Sequence, residues 1–188
     1  MPTPQTIAGW LAAVPQHFTF VLKAPQRITH IKRLKDIDDP LRYFCDTARG
    51  LASRLGPLLF QLPPNFKQDI PRLANLLVQI PPGIRCACEF RHDSWLAEET
   101  YALLRQYNAA LCVADADERT TPLVATADFG YLRLRDAAYD EAALAEWLGR
   151  LRGLGQGWTD AFLFFKHEDS GEGPRLAAQF LDLWQRAV

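Results

Sequence analysis

Arg85-Cys86-Ala87-Cys88-Glu89-Phe90-Arg91-His92-Asp93-Ser94-Trp95 alternates like a β-strand and then turns abruptly polar. Successive strand side chains point to opposite faces, so Cys86, Cys88 and Phe90 share one face while Ala87, Glu89 and Arg91 share the other. The apolar set suits a layer of helices. Glu89 and Arg91 are then left at the carboxyl end of the strand, on the face turned away from those helices. Each other apolar run stops in the same way: Phe18 to Lys23 at Lys23, Leu58 to Leu62 at Gln61, Ala109 to Ala114 at Asp115, Gly130 to Leu134 at Arg133 and Arg135, and Ala161 to Phe165 at Lys166 and His167. Polar residues gathered at the carboxyl ends of successive parallel strands build a ligand site at one mouth of an α/β barrel.

The segments between these runs read as helices. Thr3 caps the first and Pro4 suits its opening turn, with Ile7, Trp10, Leu11 and Val14 on one stripe. A second helix is predicted from about Pro40 to Leu55, capped by Asp39 and closed by Gly56-Pro57. A third carries Leu73, Leu76, Leu77 and Ile80, and a fourth starts at Ser94 and ends at Asn108. Residues 115–128 have no helical stripe and predict a loop or one short turn. Asp140 caps a helix bearing Leu144, Trp147, Leu148 and Leu151, and Pro174 opens a last one bearing Leu176, Ala177, Phe180, Leu183 and Trp184. Trp10, Trp147 and Trp184 therefore read as core. Six strand–helix units at roughly 30-residue spacing match the repeat of an eight-unit barrel. The expected fold class is α/β, a TIM-barrel-like parallel β/α barrel, incomplete with about six strands. A doubly wound sheet competes, but no Gly-x-Gly-x-x-Gly follows the first strand.

Composition narrows the function classes. At 188 residues and 48% hydrophobic, the chain suits one core, so a single domain over 1–188 is expected. A net charge of -1 gives no overall attraction to nucleic acid or membrane. Cys45, Cys86, Cys88 and Cys112 lack Cys-x-x-Cys spacing and read as reduced core thiols of a cytoplasmic protein. No run is long and apolar enough for a transmembrane helix, and no membrane partner is expected.

Three acid–base candidates stand at the mouth: Glu89, His92 and Asp115. Lys23, His30, Gln61, Arg91, Arg133, Lys166 and His167 are the candidate substrate-binding residues. For Glu89 and Arg91 the competing role is a buried ion pair that shapes the sheet. Arg27, His30, Lys32, Arg33 and Lys35 make the first loop basic, attractive to phosphate or nucleic acid if it is more than a solvated face. His30, Glu89, His92, Asp115, His167 and Glu168 are metal-ligand types, but their spacing matches no known pattern, and neither metal nor cofactor is expected.

Several strings in order resemble the YecE-like family, domain of unknown function 72. They are Phe20-Val21-Leu22-Lys23-Ala24-Pro25 with Ile28-Thr29-His30, Leu55-Gly56-Pro57-Leu58-Leu59-Phe60-Gln61-Leu62-Pro63-Pro64, Glu89 to Trp95, and Tyr131-Leu132-Arg133-Leu134. The resemblance implies an α/β barrel and names no activity. Relatives usually begin with a Gly-Ser/Thr-Gly-Trp strand and a Glu-x-Asn-x-Thr/Ser-Phe-Tyr strand, and neither string occurs here. An N-terminally truncated barrel is thus expected, with open edges at the first and last strands covered by upstream chain, by a partner, including a second copy, or shielded by distortion of the sheet. Three functions follow as expectations: a small-molecule enzyme acting on an anionic or sugar-like substrate, a nucleic-acid or phosphodiester binder using the basic loop, or an inactive barrel fragment.

Overall fold

A computed structural model describes residues 2–116, 119–136, 139–165 and 171–186. The chain forms two compact units, Met1–Ala109 and Ala110–Val188.

In the first unit, α1 (Pro4–Ala13) precedes β1 (Phe20–Lys23), and α2 (Asp38–Arg49) precedes β2 (Leu55–Gln61). Next come α3 (Ile70–Val78), β3 (Cys86–Glu89) and α4 (Glu98–Gln106). The three strands lie in the order β1-β2-β3, all parallel. The Thr3 hydroxyl accepts from Thr6 N and opens α1, while the Arg54 guanidinium donates to the carbonyls of Leu11, Val14 and Pro15 at its far end. A cation on the last carbonyls suits the negative end of a helix.

Phe60 meets Phe44 of α2 at 6.1 Å between ring centroids, which marks the face of β2 that carries the helices. Leu59 pairs with Ala87 and Gln61 with Glu89, so these four share the opposite face.

Gly56 and Pro57 lie inside β2 and do not close α2. That helix stops at Gly50, and a 3-10 turn, Ala52–Arg54, leads into the strand. The register slips here, with Phe20 opposite Leu55 but Leu22 opposite Leu58. Pro57 has no N–H to offer a ladder, and the extra residue is absorbed as a bulge. A Cβ on Gly56 would stand 2.8 Å from Thr19 Cγ2, so the close approach of β1 requires glycine. Ser94 does not cap α4, which begins at Glu98, because its hydroxyl is engaged elsewhere.

The second unit holds β4 (Ala110–Ala116), β5 (Arg119–Thr120), β6 (Phe129–Leu134), α5 (Glu141–Leu154), β7 (Asp160–Phe165) and α6 (Glu172–Arg186). β4, β6 and β7 are parallel in that order, and β5 turns back antiparallel on β4 where a loop was expected. Asp140 caps α5 by accepting from Ala143 N. Leu144, Trp147, Leu148 and Leu151 pack with Leu176 and Phe180 of α6 against Val113, Leu132 and Leu134.

Two tryptophans read as core are in fact surface residues. Trp10 is 36% exposed and stacks on Phe20, and Trp184 is 40% exposed. Both belong to the outer ends of the strand orders. β7 has no buried residue, whereas all six of β6 are buried. A helix stripe buries its aromatic residues fully only where a neighbouring element covers them.

Candidate functional site

β1, β2 and β3 each end in a polar residue, and hydrogen bonds join those residues into one row. Lys23 Nζ donates to Gln61 Oε1 at 2.7 Å, Gln61 Nε2 donates to Glu89 Oε1 at 2.7 Å, and Arg91 Nε donates to the same oxygen at 3.2 Å. Gln61 is 3% and Glu89 1% exposed, while the Arg91 side chain is 35% exposed and Lys23 is exposed. The parallel register produces this row because Gln61 and Glu89 are direct partners. A carboxylate so enclosed is retained when donors surround it, and here an amide and a guanidinium converge on one oxygen.

His30 stands on a π-helical turn, Arg27–Ile31, that follows β1. Ile28 and Thr29 of that turn are fully buried, and the Thr29 hydroxyl lies 2.8 Å from His30 Nδ1. Burial first, and then the positive charges of Lys23 and Arg91, lower the pKa of His30 below its ordinary value. Beyond the turn, Arg33, Leu34 and Asp36 all adopt positive φ, at 48°, 62° and 50°. Such conformations cost of order 1–3 kcal/mol each and persist where surroundings impose them. Here buried Leu34 and Ile37 do so, together with Arg72 Nη1, which donates to Arg33 O.

His92, an acid–base candidate, also makes a local structural contact. Its Nδ1 accepts from Ser94 N at 3.1 Å and caps the 3-10 turn Asp93–Trp95. Ser94 Oγ in turn accepts from Gln68 N at 2.7 Å, and Gln68 Nε2 donates to Thr100 Oγ1. Trp95 is fully buried between Phe66 and Phe90, with Nε1 donating to Phe66 O at 2.7 Å. These contacts fasten the Pro63–Phe66 loop to the segment after β3. No motif marked Gln68 or Phe66, whose partners Thr100 and Trp95 lie 32 and 29 residues away.

Asp115, in the second unit, contradicts the expected orientation. It is opposite Leu134 in the β4–β6 register, and Val113 is opposite Leu132; both leucines and Val113 pack on α5 and α6. Asp115 therefore lies on the helix-bearing face, while Arg133 lies on the other with Tyr131 and Phe164. The Asp115 carboxylate accepts from the Thr120 hydroxyl and from the Tyr139 hydroxyl, each at 2.5 Å. Burial and this hydrogen bond push the Tyr139 hydroxyl well above its ordinary pKa. Asp115 thus ties the β4–β5 hairpin to the entrance of α5. The signal lay in β4 itself, where Ala110, Cys112 and Ala114 alternate with the bulkier Leu111 and Val113. The bulky set seeks the helices and carries Asp115 with it. On β7, Leu163 and Phe165 take the helix side, leaving Phe162 and Phe164 opposite. Lys166 and His167 lie outside the described residues.

A cavity of about 690 Å³ in the second unit is lined mainly by apolar residues of α5, β7 and α6, including Trp158, Leu163, Phe180 and Trp184. Among the described residues no group of three or more His, Cys, Asp or Glu side chains is placed to hold a metal, and no helix is long and apolar enough to cross a membrane. The four thiols are buried, and burial chiefly pushes that of Cys45 up to about 11.

Parallel strands alternating with helices, and polar residues at strand ends, define an incomplete TIM-barrel-like α/β protein, with three parallel strands in each unit among the described residues. A crystal structure of a DUF72 family protein from Thermotoga maritima MSB8 matches with a TM-score of 0.82 at 25% identity, covering 98% of this chain and 80% of that one. One from Enterococcus faecalis V583 matches with the same TM-score at 17% identity, covering 98% and 85%. The family described as "Protein of unknown function DUF72" matches residues 1–188, and the chain belongs to it. The UPF0759 protein YecE of Escherichia coli (strain K12) is 29% identical over 99 residues, which is 52% of this chain. That match spans 36% of the relative's own length.

Proposed function

We propose that the row of Lys23, Gln61, Glu89 and Arg91 binds a small ligand carrying an anionic group, sugar-like in its hydroxyls, and that the protein performs general acid–base chemistry on it. One observation carries this reading: a continuous run of hydrogen bonds crosses three parallel strand ends and encloses a carboxylate and an amide. Lys23 and Arg91 supply cations at the two ends of the row. Gln61 and Glu89 hold those cations in register, and the Glu89 carboxylate is the acid–base group nearest the ligand. His92, whose Nδ1 caps the turn after β3, is the second candidate for proton transfer.

Calorimetric titration with inorganic phosphate and with a panel of sugar phosphates tests the reading. Saturable binding is expected, weakened about 10- to 100-fold by Lys23→Ala, as the loss of a charge-assisted hydrogen bond implies. Glu89→Gln should keep the thermal transition and abolish turnover of any substrate found. Unchanged affinity in Lys23→Ala would remove the row from binding.

A second reading has its own observation. Ile31 is 75% exposed at the tip of a turn flanked by Arg27, Lys32, Arg33 and Lys35, an arrangement suited to a phosphodiester backbone. Binding to a nucleic-acid oligomer that falls steeply with salt would favour it. Absence of both kinds of binding would favour an inactive barrel.

A further inference from the structure

We propose that the edge of β7, together with the outer stripe of α6, is a self-association surface on which a second copy of this chain pairs its own β7 antiparallel about a two-fold axis.

Among the described residues β7 is the last strand of its order. Edge strands usually carry lysine, proline or a bulge that discourages further pairing. Asp160-Ala161-Phe162-Leu163-Phe164-Phe165 has neither lysine nor proline, and its register with β6 runs unbroken from Asp160 opposite Phe129 to Phe165 opposite Leu134. It is therefore a regular template for another strand. Thr159 N donates to Asp128 O, so by alternation the backbone groups of Phe164 are directed away from β6.

The helix beside this edge has two apolar faces. Leu176 and Phe180 join the core, while Gln179, Asp182 and Arg186 lie with Glu141 and Leu144 of α5. Ala177, Leu181 and Trp184 form a second stripe at helical spacing, and the apolar cavity joins it to Leu163 and Phe165 of β7. Leu181 is 59% exposed. A helix that ended its packing at the core would place polar residues on that stripe, and this one carries a leucine and a tryptophan.

Symmetry selects the occupant. A two-fold axis normal to the sheet keeps both faces continuous, so only residues of like parity meet across it. Centred on Phe162, the pairing sets Ala161 against Leu163 on the helix side, small beside large, and Phe162 against its own copy on the other side. The same axis runs the two α6 helices antiparallel, with Glu172 at the N-terminal end of one toward Arg186 at the C-terminal end of the other. The ends are thus complementary in charge, and the stripe between them has none. At about 3.3 Å per residue the edge is about 20 Å long, and with α6 one layer away the patch covers roughly 400 Å² in plan. That scale is the small end of specific interfaces, so the pair dissociates on dilution.

Sedimentation velocity of the 188-residue chain over a range of concentrations gives its mass, and hydrogen exchange resolved to single amides gives the protection of Phe164. The expected result is a monomer–dimer equilibrium that closes at the dimer, with the Phe164 amide exchanging about 10-fold more slowly at high concentration than at low. Leu181→Lys, at a position exposed enough to leave the fold intact, should weaken association about 10- to 100-fold by placing an ammonium in an apolar contact. Val78→Lys, at a comparably exposed residue of α3, should leave association as it is. A monomer at every concentration would overturn the proposal, whether the Phe164 amide exchanges freely or is already protected from within the chain. So would a dimer that survives Leu181→Lys with Phe164 exchange independent of concentration, or assembly that continues past the dimer, which requires a heterologous contact.

Discussion

Replacing Trp95 with alanine is expected to lower the unfolding free energy by about 3–5 kcal/mol, the range for deleting a large buried aromatic side chain. The indole is fully enclosed, stacks on Phe90 at 4.8 Å and meets Phe66 edge-on at 5.5 Å. Its loss leaves a cavity and also strands the Phe66 carbonyl, whose partner at 2.7 Å is the indole N–H. For a chain of this size the thermal midpoint should fall by roughly 6–20 °C. Trp95→Phe should fall between the variant and the parent, because it refills most of the space and restores no donor. Differential scanning calorimetry of the three proteins gives the comparison.

The second large effect concerns the row itself. If the row binds an anion as proposed, Arg91→Ala should weaken binding of inorganic phosphate about 10- to 100-fold, since it removes the guanidinium that pairs with Glu89 and would meet the anion. It should also destabilise the protein, because Glu89 is 1% exposed and would keep a charge inside with one fewer donor. The two effects separate in the double variant Arg91→Ala with Glu89→Gln. Removing the charge at Glu89 recovers stability, and affinity stays low because the cation is still missing. Arg91→Lys should recover part of the affinity, as an ammonium supplies charge without the fixed fork of a guanidinium. Calorimetric titration and thermal unfolding of the four proteins measure both quantities.

The first unit was largely legible in the sequence because its signals are local. The alternation through Cys86–Glu89 places Glu89 and Ala87 together, and the register puts Gln61 and Leu59 on the same face. What could not be read there depends on pairs distant in sequence. Ser94 looked like a helix cap because such residues often are, yet Gln68 N, 26 residues earlier, claims its hydroxyl. Gly56-Pro57 looked like a helix stop, and strand pairing with β1 overrode that preference.

Asp115 failed for a more instructive reason. A polar residue at the end of a strand suggests the open face, whereas Thr120 and Tyr139 give Asp115 hydrogen bonds on the helix side. Once partners exist there, burying a carboxylate against the helices is as acceptable as leaving it at the mouth. Trp10 and Trp184 show the limit of stripes: periodicity tells which way a side chain points and leaves open what lies beyond it.

Anomalous diffraction from crystals grown or soaked in selenate tests the anion row most directly. The predicted result is selenium density within hydrogen-bonding reach of Arg91 and Lys23, with Gln61 and Glu89 linking the two as described. Selenate bound elsewhere and absent from the row, or a row whose side chains are directed to separate surfaces, would contradict it.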